Sequence, residues 1–380
     1  MLGKRFYSDI AALRKTPLFD FHLAHEGKMV DYAGFAMPVL YKAQSHIASH
    51  NWVREKAGLF DVSHMVQHKF LGPDATKFLE TITPSDLKGL KPFTSTLSVL
   101  LNSNGGIVDD TIICKHAENE YYVVTNAGCR DKDLAFFREQ ASRLGVNVRH
   151  DLIGGGLLAL QGPEAANVLQ KLTNFDLKEI GFGESAFVDL LGGKYHVARG
   201  GYTGEDGFEV SVTDDAKSLE FANALVENEA VQPIGLAARD SLRLEAGMCL
   251  YGNELTEEIT PIAARLAWVI GKPRRADKEF NGAEEILKQL AEKSTPLRTG
   301  LVSTGPAPRT GAKILDKDGS QVGTVTSGSL SPTLGKNVAM GYLPRKLAKN
   351  GTELSIEIRG KPRPAVVSAM PFVTPNYYRK

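Results

Sequence analysis

The sequence has few cysteines, no excess of positive or negative charge, and no long apolar runs. Its three cysteines are odd in number and form no C-x-x-C pair, which argues against a disulfide framework, excludes a thiolate zinc site and favours a reducing compartment. Lysine and arginine (45) almost balance aspartate and glutamate (44), so the net charge of +1 gives no indication of nucleic acid as the main partner. Apolar runs fall short of the ~18 residues that cross a bilayer, and we expect no membrane-spanning segment.

Common catalytic and cofactor motifs are also missing. The glycines of Gly201–Gly207 have the wrong spacing for a dinucleotide fingerprint, and the sequence contains no P-loop, no G-x-S-x-G and no H-E-x-x-H. Two histidine pairs, His46 with His50 and His22 with His25, are three or four residues apart, but no nearby acid completes a ligand set. We interpret these histidines as solvent-facing or capping side chains and predict no metal site.

The amino end resembles a targeting segment. Residues 1–8 include Lys4 and Arg5 and no acid, and Arg5–Ser8 is similar to the junction cut by the mitochondrial processing peptidase. Because a basic, acid-poor composition is typical of mitochondrial presequences, we predict that residues 1–15 form a presequence and flexible start. A frayed cytosolic terminus is the alternative.

Hydrophobic periodicity predicts mixed helices and strands without a regular βαβ alternation, which indicates an α+β fold. We assign residues 16–293 to one α+β region, made of two interleaved subdomains. Predicted helices cover 45–57, 73–83, 132–144, 163–172, 216–229, 235–247 and 284–293. Predicted strands cover 94–101, 107–114, 120–126, 157–161, 186–191, 195–199 and 208–213, the first two joined as a hairpin.

The composition changes near residue 294. Turn signals from there onward separate short strand-like runs, at 300–303, 313–316, 322–327, 338–343, 353–359 and 364–369. This pattern predicts a small β-barrel, or else a sandwich, over residues 294–380. Residues 344–380 contain eight Lys or Arg and two Glu, a net charge of +6 that indicates either a solvated face or a dock for an acidic partner.

Acids next to or within apolar strands are the most informative polar residues. Asp109 and Asp110 begin an apolar strand after a glycine pair. Neighbours on a strand face opposite sides, so one carboxylate points inward if the strand is buried and then needs a partner; a solvated turn is the alternative. Glu209 lies within another apolar strand. Arg239 and Arg243 share one face of a predicted helix, either as functional groups or as an intrahelical ion-pair network.

Seven sequence blocks in order carry a further signal: Gly27–Val30, Ala33–Pro38, Phe60–Met65, Gly105–Asp110, Gly201–Glu209, Gly235–Gly247 and Val325–Tyr342. Together they resemble the glycine cleavage system T-protein family, the tetrahydrofolate-dependent aminomethyltransferases. The resemblance extends from about Thr16 to Tyr378 and is specific because the blocks occur together. It implies a multidomain, folate-binding α+β fold with a carboxyl-terminal β-barrel.

The resemblance also implies a reaction and its partners. A lipoylated H protein presents an aminomethyl group on a dihydrolipoyl sulfur, and the enzyme transfers the methylene group to tetrahydrofolate. The products are 5,10-methylenetetrahydrofolate and ammonia. Tetrahydrofolate is then the co-substrate, the H protein supplies the lipoyl group, the other glycine cleavage proteins are partners, and the location is the mitochondrial matrix.

Functional residues follow from the same resemblance. Asp110 matches the catalytic acid, and a buried carboxylate beside the pterin nitrogens can orient them, assist proton movement and stabilise positive charge. Glu209 matches a folate-binding acid whose oxygens suit the paired N–H donors of a pterin edge, and Arg239 matches a binding arginine. The other matched binding positions, for most of which core packing is the alternative, are Tyr377, Met65, Tyr122, Val124, Asn126 and Trp268.

The sequence departs from the family pattern at two positions. Phe35 stands where the family commonly has Trp, and Ala263 stands where it commonly has Glu, which removes an acid near Trp268.

Two other functions compete with the transferase. A non-catalytic folate-binding scaffold of the same fold carries a Lys-Gly-Cys-x-x-Gly-Gln-Glu signature, whose cysteine is missing from Arg199–Glu205. The folate half of a dimethylglycine or sarcosine oxidase is fused to a flavin-binding Rossmann domain, for which this chain has no room. We therefore predict the aminomethyltransferase.

Overall fold

The structure, a computed structural model, describes Ile10 and residues 12–380. Residues Arg5–Ser8, on which the presequence prediction depends, lie outside the described residues. The α-helices within the described chain are α1 (Phe19–Ala24), α2 (His46–Glu55), α3 (Ala75–Ile82), α4 (Arg130–Leu144), α5 (Ala165–Gln170), α6 (Asp215–Val226), α7 (Leu236–Glu245), α8 (Lys272–Asp277) and α9 (Ala283–Glu292).

Strands are distributed along the whole described chain. They are β1 (Gly27–Tyr32), β2 (Phe35–Tyr41), β3 (Ala57–Asp61), β4 (Val66–Leu71), β5 (Thr94–Leu101), β6 (Ile107–Ala117), β7 (Glu120–Thr125), β8 (Arg149–Ile153), β9 (Gly156–Gln161), β10 (Ser185–Leu190), β11 (Gly193–Arg199), β12 (Gly207–Val212), β13 (Val231–Pro233), β14 (Leu297–Ser303), β15 (Lys313–Leu315), β16 (Gln321–Ser331), β17 (Lys336–Leu343), β18 (Glu353–Ile358) and β19 (Lys361–Ser368).

The chain divides into two compact units, each built from separate segments. Unit 1 comprises the described part of residues 1–68 together with 151–242 and 375–380, and unit 2 comprises 69–150 and 243–374. The domain boundaries predicted at 15/16 and 293/294 stay predictions.

Unit 1 is organised around a six-stranded sheet with the order β10-β11-β12-β9-β3-β13. Every residue of the central strands β3 and β9 is buried, because helices and neighbouring strands cover both faces. Apolar side chains of α5 and α6, among them Leu169 and Phe221, pack into the same core as Leu160 and Phe208 of the sheet. A buried sheet of this kind holds polar side chains on β12 in fixed positions.

Unit 2 contains a five-stranded sheet with the order β5-β6-β7-β4-β8. The predicted hairpin is present, since β5 and β6 pair antiparallel and Val99 lies opposite Asp110. Helices α3 and α4 contribute Phe78 and Phe137 to the core of this sheet. The pairing of β6 with β7 places the start of β6 beside the residues that follow β7.

The carboxyl-terminal strands of unit 2 close into a six-stranded barrel with the order β14-β17-β16-β15-β18-β19. Its interior is filled by inward-facing aliphatic side chains that include Leu301, Ile314, Val325 and Ile356. The predicted α+β fold with a carboxyl-terminal β-barrel is confirmed, and the sandwich alternative is not. In the described part of the chain, no helix combines the length and apolarity that a membrane crossing requires.

Candidate active site

A glycine turn fixes the start of the acidic strand β6. Gly105 has a φ of +81°, a conformation that side chains with a Cβ rarely adopt. A Cβ on Gly106 would lie 1.7 Å from the carbonyl oxygen of Glu257, so only glycine fits there. The glycine pair therefore sets where Asp109 and Asp110 enter the sheet.

The side-chain amide of Asn126 bridges the two acids. Its Nδ2 donates to Asp109 Oδ1 at 2.9 Å and to Asp110 Oδ1 at 2.8 Å. Its backbone N–H donates to Asp109 Oδ2 at 2.9 Å. Asp109 is completely buried and Asp110 is half-buried, so Asp109 is the inward carboxylate that strand alternation predicts. The solvated-turn alternative is wrong.

The Asp110 carboxyl loses its proton at a higher pH than an ordinary aspartate. Loss of hydration, followed by the negative charge of Asp109, raises the pKa of Asp110 to about 7, against the opposing hydrogen bond from Asn126. Burial also raises the pKa of Asp109, although two hydrogen bonds from Asn126 and one from Cys129 favour its charged form. A carboxyl group with a pKa near neutrality can both accept and return a proton at physiological pH.

The other predicted residues of unit 2 differ in exposure. Tyr122 and Val124 are buried on β7, and the Tyr122 ring stacks parallel to His116 at 5.9 Å, so both also serve the packing of the sheet. Trp268 lies in a 3-10 turn (Ala267–Val269) and is 61% exposed, an unusual exposure for so large an apolar ring. Ala263, where the family commonly has an acid, is buried.

Glu209 and Arg239, the predicted folate-binding acid and arginine, are both partly buried in unit 1. Burial raises the pKa of Glu209, and the positive charge of Arg239 opposes that rise. The Arg239 guanidinium also lies over the Tyr202 ring, 4.8 Å from its centroid. A partly buried carboxylate and a planar cation within electrostatic range of each other suit a heterocycle with both donors and acceptors.

Tyr377 and Met65, the remaining predicted binding residues, are both partly buried in unit 1. The Tyr377 ring stacks on Phe182 at 4.1 Å, and burial raises the pKa of its hydroxyl. Met65 follows the end of β3 and closes a turn by donating its N–H to the Val62 carbonyl at 3.0 Å.

The interpretation of the histidines as solvent-facing is wrong for His22 and His50. Both are buried, and hydrogen bonds to neighbouring side chains compensate for their loss of hydration. His22 Nε2 lies 2.8 Å from Asp61 Oδ2, and its Nδ1 lies 2.8 Å from the Tyr41 hydroxyl. His50 Nδ1 lies 2.7 Å from the Ser241 hydroxyl.

Sequence reasoning did not assign roles to Asp61 and His64 of the block Phe60–Met65. Burial alone would raise the pKa of Asp61, but hydrogen bonds led by His22 lower it to about 2. His64 is fully buried and burial, with the charge of Arg239, lowers its pKa to about 4, so it stays neutral at pH 7. Asp61 ends the buried apolar strand β3, so a polar side chain at the end of an apolar run is the sequence signal for that residue, while His64 lies beyond the strand and has no such signal.

The candidate residues thus form two groups, each within one unit: Asp110 with Asn126, and Glu209 with Arg239. A partly buried carboxyl group whose pKa is raised to about 7 is typical of an enzyme that transfers protons through a carboxylate.

Comparison with known protein families identifies the family of this chain. The sequence profile of the GCVT N-terminal domain matches residues 18–274, and that of the glycine cleavage T-protein C-terminal barrel domain matches residues 298–374. The chain belongs to the glycine cleavage T-protein family, which confirms the family that the sequence blocks predict.

Relatives match along almost their whole length. The chain is 50% identical over 371 residues to the probable mitochondrial aminomethyltransferase of Schizosaccharomyces pombe, covering 97% of this chain and 95% of that protein. It is 48% identical over 370 residues to the mitochondrial aminomethyltransferase of Homo sapiens, covering 96% and 91%. The crystal structure of glycine cleavage system aminomethyltransferase T from Bartonella henselae is similar with a TM-score of 0.91 and 38% identity, covering 97% of this chain and all of that one.

Proposed function

We propose that this protein is the tetrahydrofolate-dependent aminomethyltransferase of a glycine cleavage system. It takes the aminomethyl group from the dihydrolipoyl sulfur of an H protein and transfers the methylene group to tetrahydrofolate, releasing ammonia. The observation that carries the proposal is Asp110, held by Asn126 beside a second carboxylate, with its pKa raised to about 7.

Asp110 handles the proton in this proposal. As a folate nitrogen attacks the methylene carbon, the carboxylate accepts the proton of that nitrogen and offsets the positive charge that develops on the one-carbon unit. Asn126 holds the carboxylate in place through a 2.8 Å hydrogen bond. Glu209 accepts hydrogen bonds from the pterin edge, and Arg239 donates to folate oxygens.

The further binding positions contribute flat or polarizable surface. We assign Tyr377, Met65, Tyr122, Val124 and Trp268 to folate contacts, because aromatic rings and a thioether suit a flat heterocycle. The partners are the lipoylated H protein and the other glycine cleavage proteins, and the location is the mitochondrial matrix, in keeping with the mitochondrial names of the relatives.

The alternative of a non-catalytic folate-binding scaffold is not favoured. The curated relatives that match at about half identity over nearly full length carry the name aminomethyltransferase.

Ammonia release tests the proposed function directly. The full chain is mixed with aminomethylated H protein, and ammonia is measured with and without tetrahydrofolate. We expect ammonia release that depends on tetrahydrofolate and forms 5,10-methylenetetrahydrofolate in equal amount. Equal release without tetrahydrofolate would contradict the proposal.

The pH dependence of turnover follows from Asp110. Its carboxylate form is the active one, so turnover should rise as pH increases through about 7 and should fall about tenfold per unit below that value. Single-turnover rates between pH 5.5 and 8.5 with saturating H protein measure this limb. A rate that does not change across the range would mean that ionisation of Asp110 does not limit the reaction.

The basic carboxyl-terminal segment is the proposed dock for the H protein. Arg359 and Lys361 are exposed at the turn between β18 and β19, and Arg363 lies on β19 nearby. Reversing these three charges to Glu should weaken H-protein binding, more at low salt than at high salt, because exposed charges are screened. Titration of the H protein by calorimetry at two salt concentrations measures the effect, and unchanged affinity at low salt would place the dock elsewhere.

A further inference from the structure

A second buried carboxyl, Asp133 on helix α4, contacts Asp109 of the acidic pair. Asp133 and Asp109 are both completely buried, and each is a side-chain hydrogen-bond partner of the other. Two ionised carboxylates cannot hydrogen-bond, because neither offers a donor. Neither oxygen of Asp133 has a donor at full hydrogen-bond geometry in the described part of the chain, and the Thr125 side chain makes only a weaker contact with it.

One proton resolves this conflict, and the surrounding donors decide which residue holds it. Asp109 accepts hydrogen bonds from the Asn126 backbone, the Asn126 side chain and Cys129, all of which favour its negative form. Asp133, in contrast, is approached by the Thr125 side chain, and that contact does not reach full hydrogen-bond geometry. The proton therefore resides on Asp133, and its O–H completes the hydrogen bonding of Asp109.

We propose that Asp133 is a positioning residue: in its protonated form it donates a hydrogen bond to Asp109 and thereby fixes Asn126 and Asp110. The proposal rests on the proposed function, in which Asp110 is the catalytic acid. The chain of contacts has three steps. Asp133 donates to Asp109, Asp109 accepts twice from Asn126, and the same Asn126 amide donates to Asp110 at 2.8 Å. A single shared proton also limits the pair to one negative charge beside Asp110.

The groups around Asp133 support a retained proton over the physiological range. Loss of hydration and then the charge of Asp109 raise the pKa of Asp133 to about 9, while Thr125 and Lys132 oppose the rise. Lys132 lowers the pKa of Asp133 only weakly, because its Nζ is bound to the Tyr251 hydroxyl and to Glu257. Burial raises the pKa of the Cys129 thiol, which therefore also stays protonated and adds no charge.

Asp133→Asn and Asp133→Ala separate a positioning role from simple packing. The asparagine amide supplies the donor without a titrating proton, so turnover at pH 7 should stay within about threefold of wild type. The alanine variant removes the donor and should lower kcat at least tenfold, with less than threefold change in the KM for tetrahydrofolate, because misplacement of a catalytic group costs rate. Asp131→Asn, an exposed acid in the same helical turn, is the matched charge control and should behave as wild type.

Melting curves test the shared proton without any reference to activity. A carboxyl whose pKa is raised in the folded state retains a proton that the unfolded chain has lost, so it stabilises least at high pH. The melting temperature of Asp133→Asn relative to wild type should therefore rise steadily as pH increases from about 4 to 9. Asp131→Asn should show no such trend.

Each result decides one part of the inference. A difference in melting temperature that is constant with pH would overturn the shared proton, and an asparagine variant as slow as the alanine variant would overturn the positioning role. If Asp133→Ala does not fold, the asparagine variant and the melting curves still decide. A wild-type protein without tetrahydrofolate-dependent ammonia release would refute the proposed function, while the melting curves would still report on the proton.

Discussion

Asp110→Asn is expected to lower turnover by about two to four orders of magnitude, the usual contribution of a positioned general acid or base. The substitution keeps the shape of the side chain, and its carbonyl oxygen can still accept the 2.8 Å hydrogen bond from Asn126. What it removes is the ability to take a proton and to carry negative charge. Single-turnover formation of 5,10-methylenetetrahydrofolate from aminomethylated H protein measures the loss.

Folding and folate binding should survive the same substitution. The carboxyl is half-buried and, with its pKa raised to about 7, is only partly ionised at pH 7, so a neutral amide there creates no new unpaired charge. Melting temperature and tetrahydrofolate titration provide these controls, and Asp131→Asn provides the matched change of charge at an exposed acid. Turnover equal to that of wild type in Asp110→Asn would reject its catalytic role.

Local sequence patterns predict most elements of this fold but not their exact ends, and they miss strands β1 to β4, β8 and β13 and the short helices α1 and α8. The spacing around Pro73 predicts a helix from 73, yet α3 begins at Ala75 after Asp74, because proline and the preceding glycine turn occupy the approach to the helix. All six strands of the barrel are predicted, because turn residues separate the strand-like runs, although the pattern leaves open whether those strands form a barrel or a sandwich. Turn residues and apolar runs determine secondary structure within a few residues of themselves, so the sequence alone is enough to recognise them.

Long-range polar contacts are the part that the sequence could not provide. Strand alternation indicates that Asp109 or Asp110 is buried, but it cannot show that Asn126, 16 residues further along, bridges both. Nothing local links Asp133 to Asp109 either, since that contact requires helix α4 to pack against the sheet. The same limit explains the wrong interpretation of His50, whose partner Ser241 is 191 residues away.

The helix of Arg239 and Arg243 shows this limit most clearly. Helical spacing suggests an intrahelical ion-pair network, but Arg243 instead forms a buried ion pair with Glu254, at 2.9 Å, with both side chains at most 1% exposed. The guanidinium also donates to the Met248 carbonyl at 3.0 Å and to the Ser327 hydroxyl at 2.8 Å. Arg243 thus ties the segment after α7 to strand β16 of the barrel, within unit 2.

Arg243→Met should therefore be strongly destabilising, by about 3–5 kcal/mol in the free energy of unfolding, because it leaves Glu254 charged and buried without its partner. Denaturant unfolding of the full chain, followed by tryptophan fluorescence and circular dichroism, measures the change. Lys217→Met, which removes one partner of the exposed Lys217–Glu220 pair, is the matched control and should leave the stability unchanged.

The double variant Arg243→Met/Glu254→Gln distinguishes an unpaired charge from lost packing. Glutamine keeps an acceptor for the Leu250 N–H, which Glu254 now accepts at 3.0 Å, and it carries no charge. If the unpaired carboxylate causes the loss, the double variant should recover most of the stability that the single variant lacks, since a neutral buried pair costs far less than an isolated charge. A double variant no more stable than Arg243→Met would instead assign the loss to the missing hydrogen bonds and side-chain volume of the arginine, and the ion pair itself would contribute little to the fold.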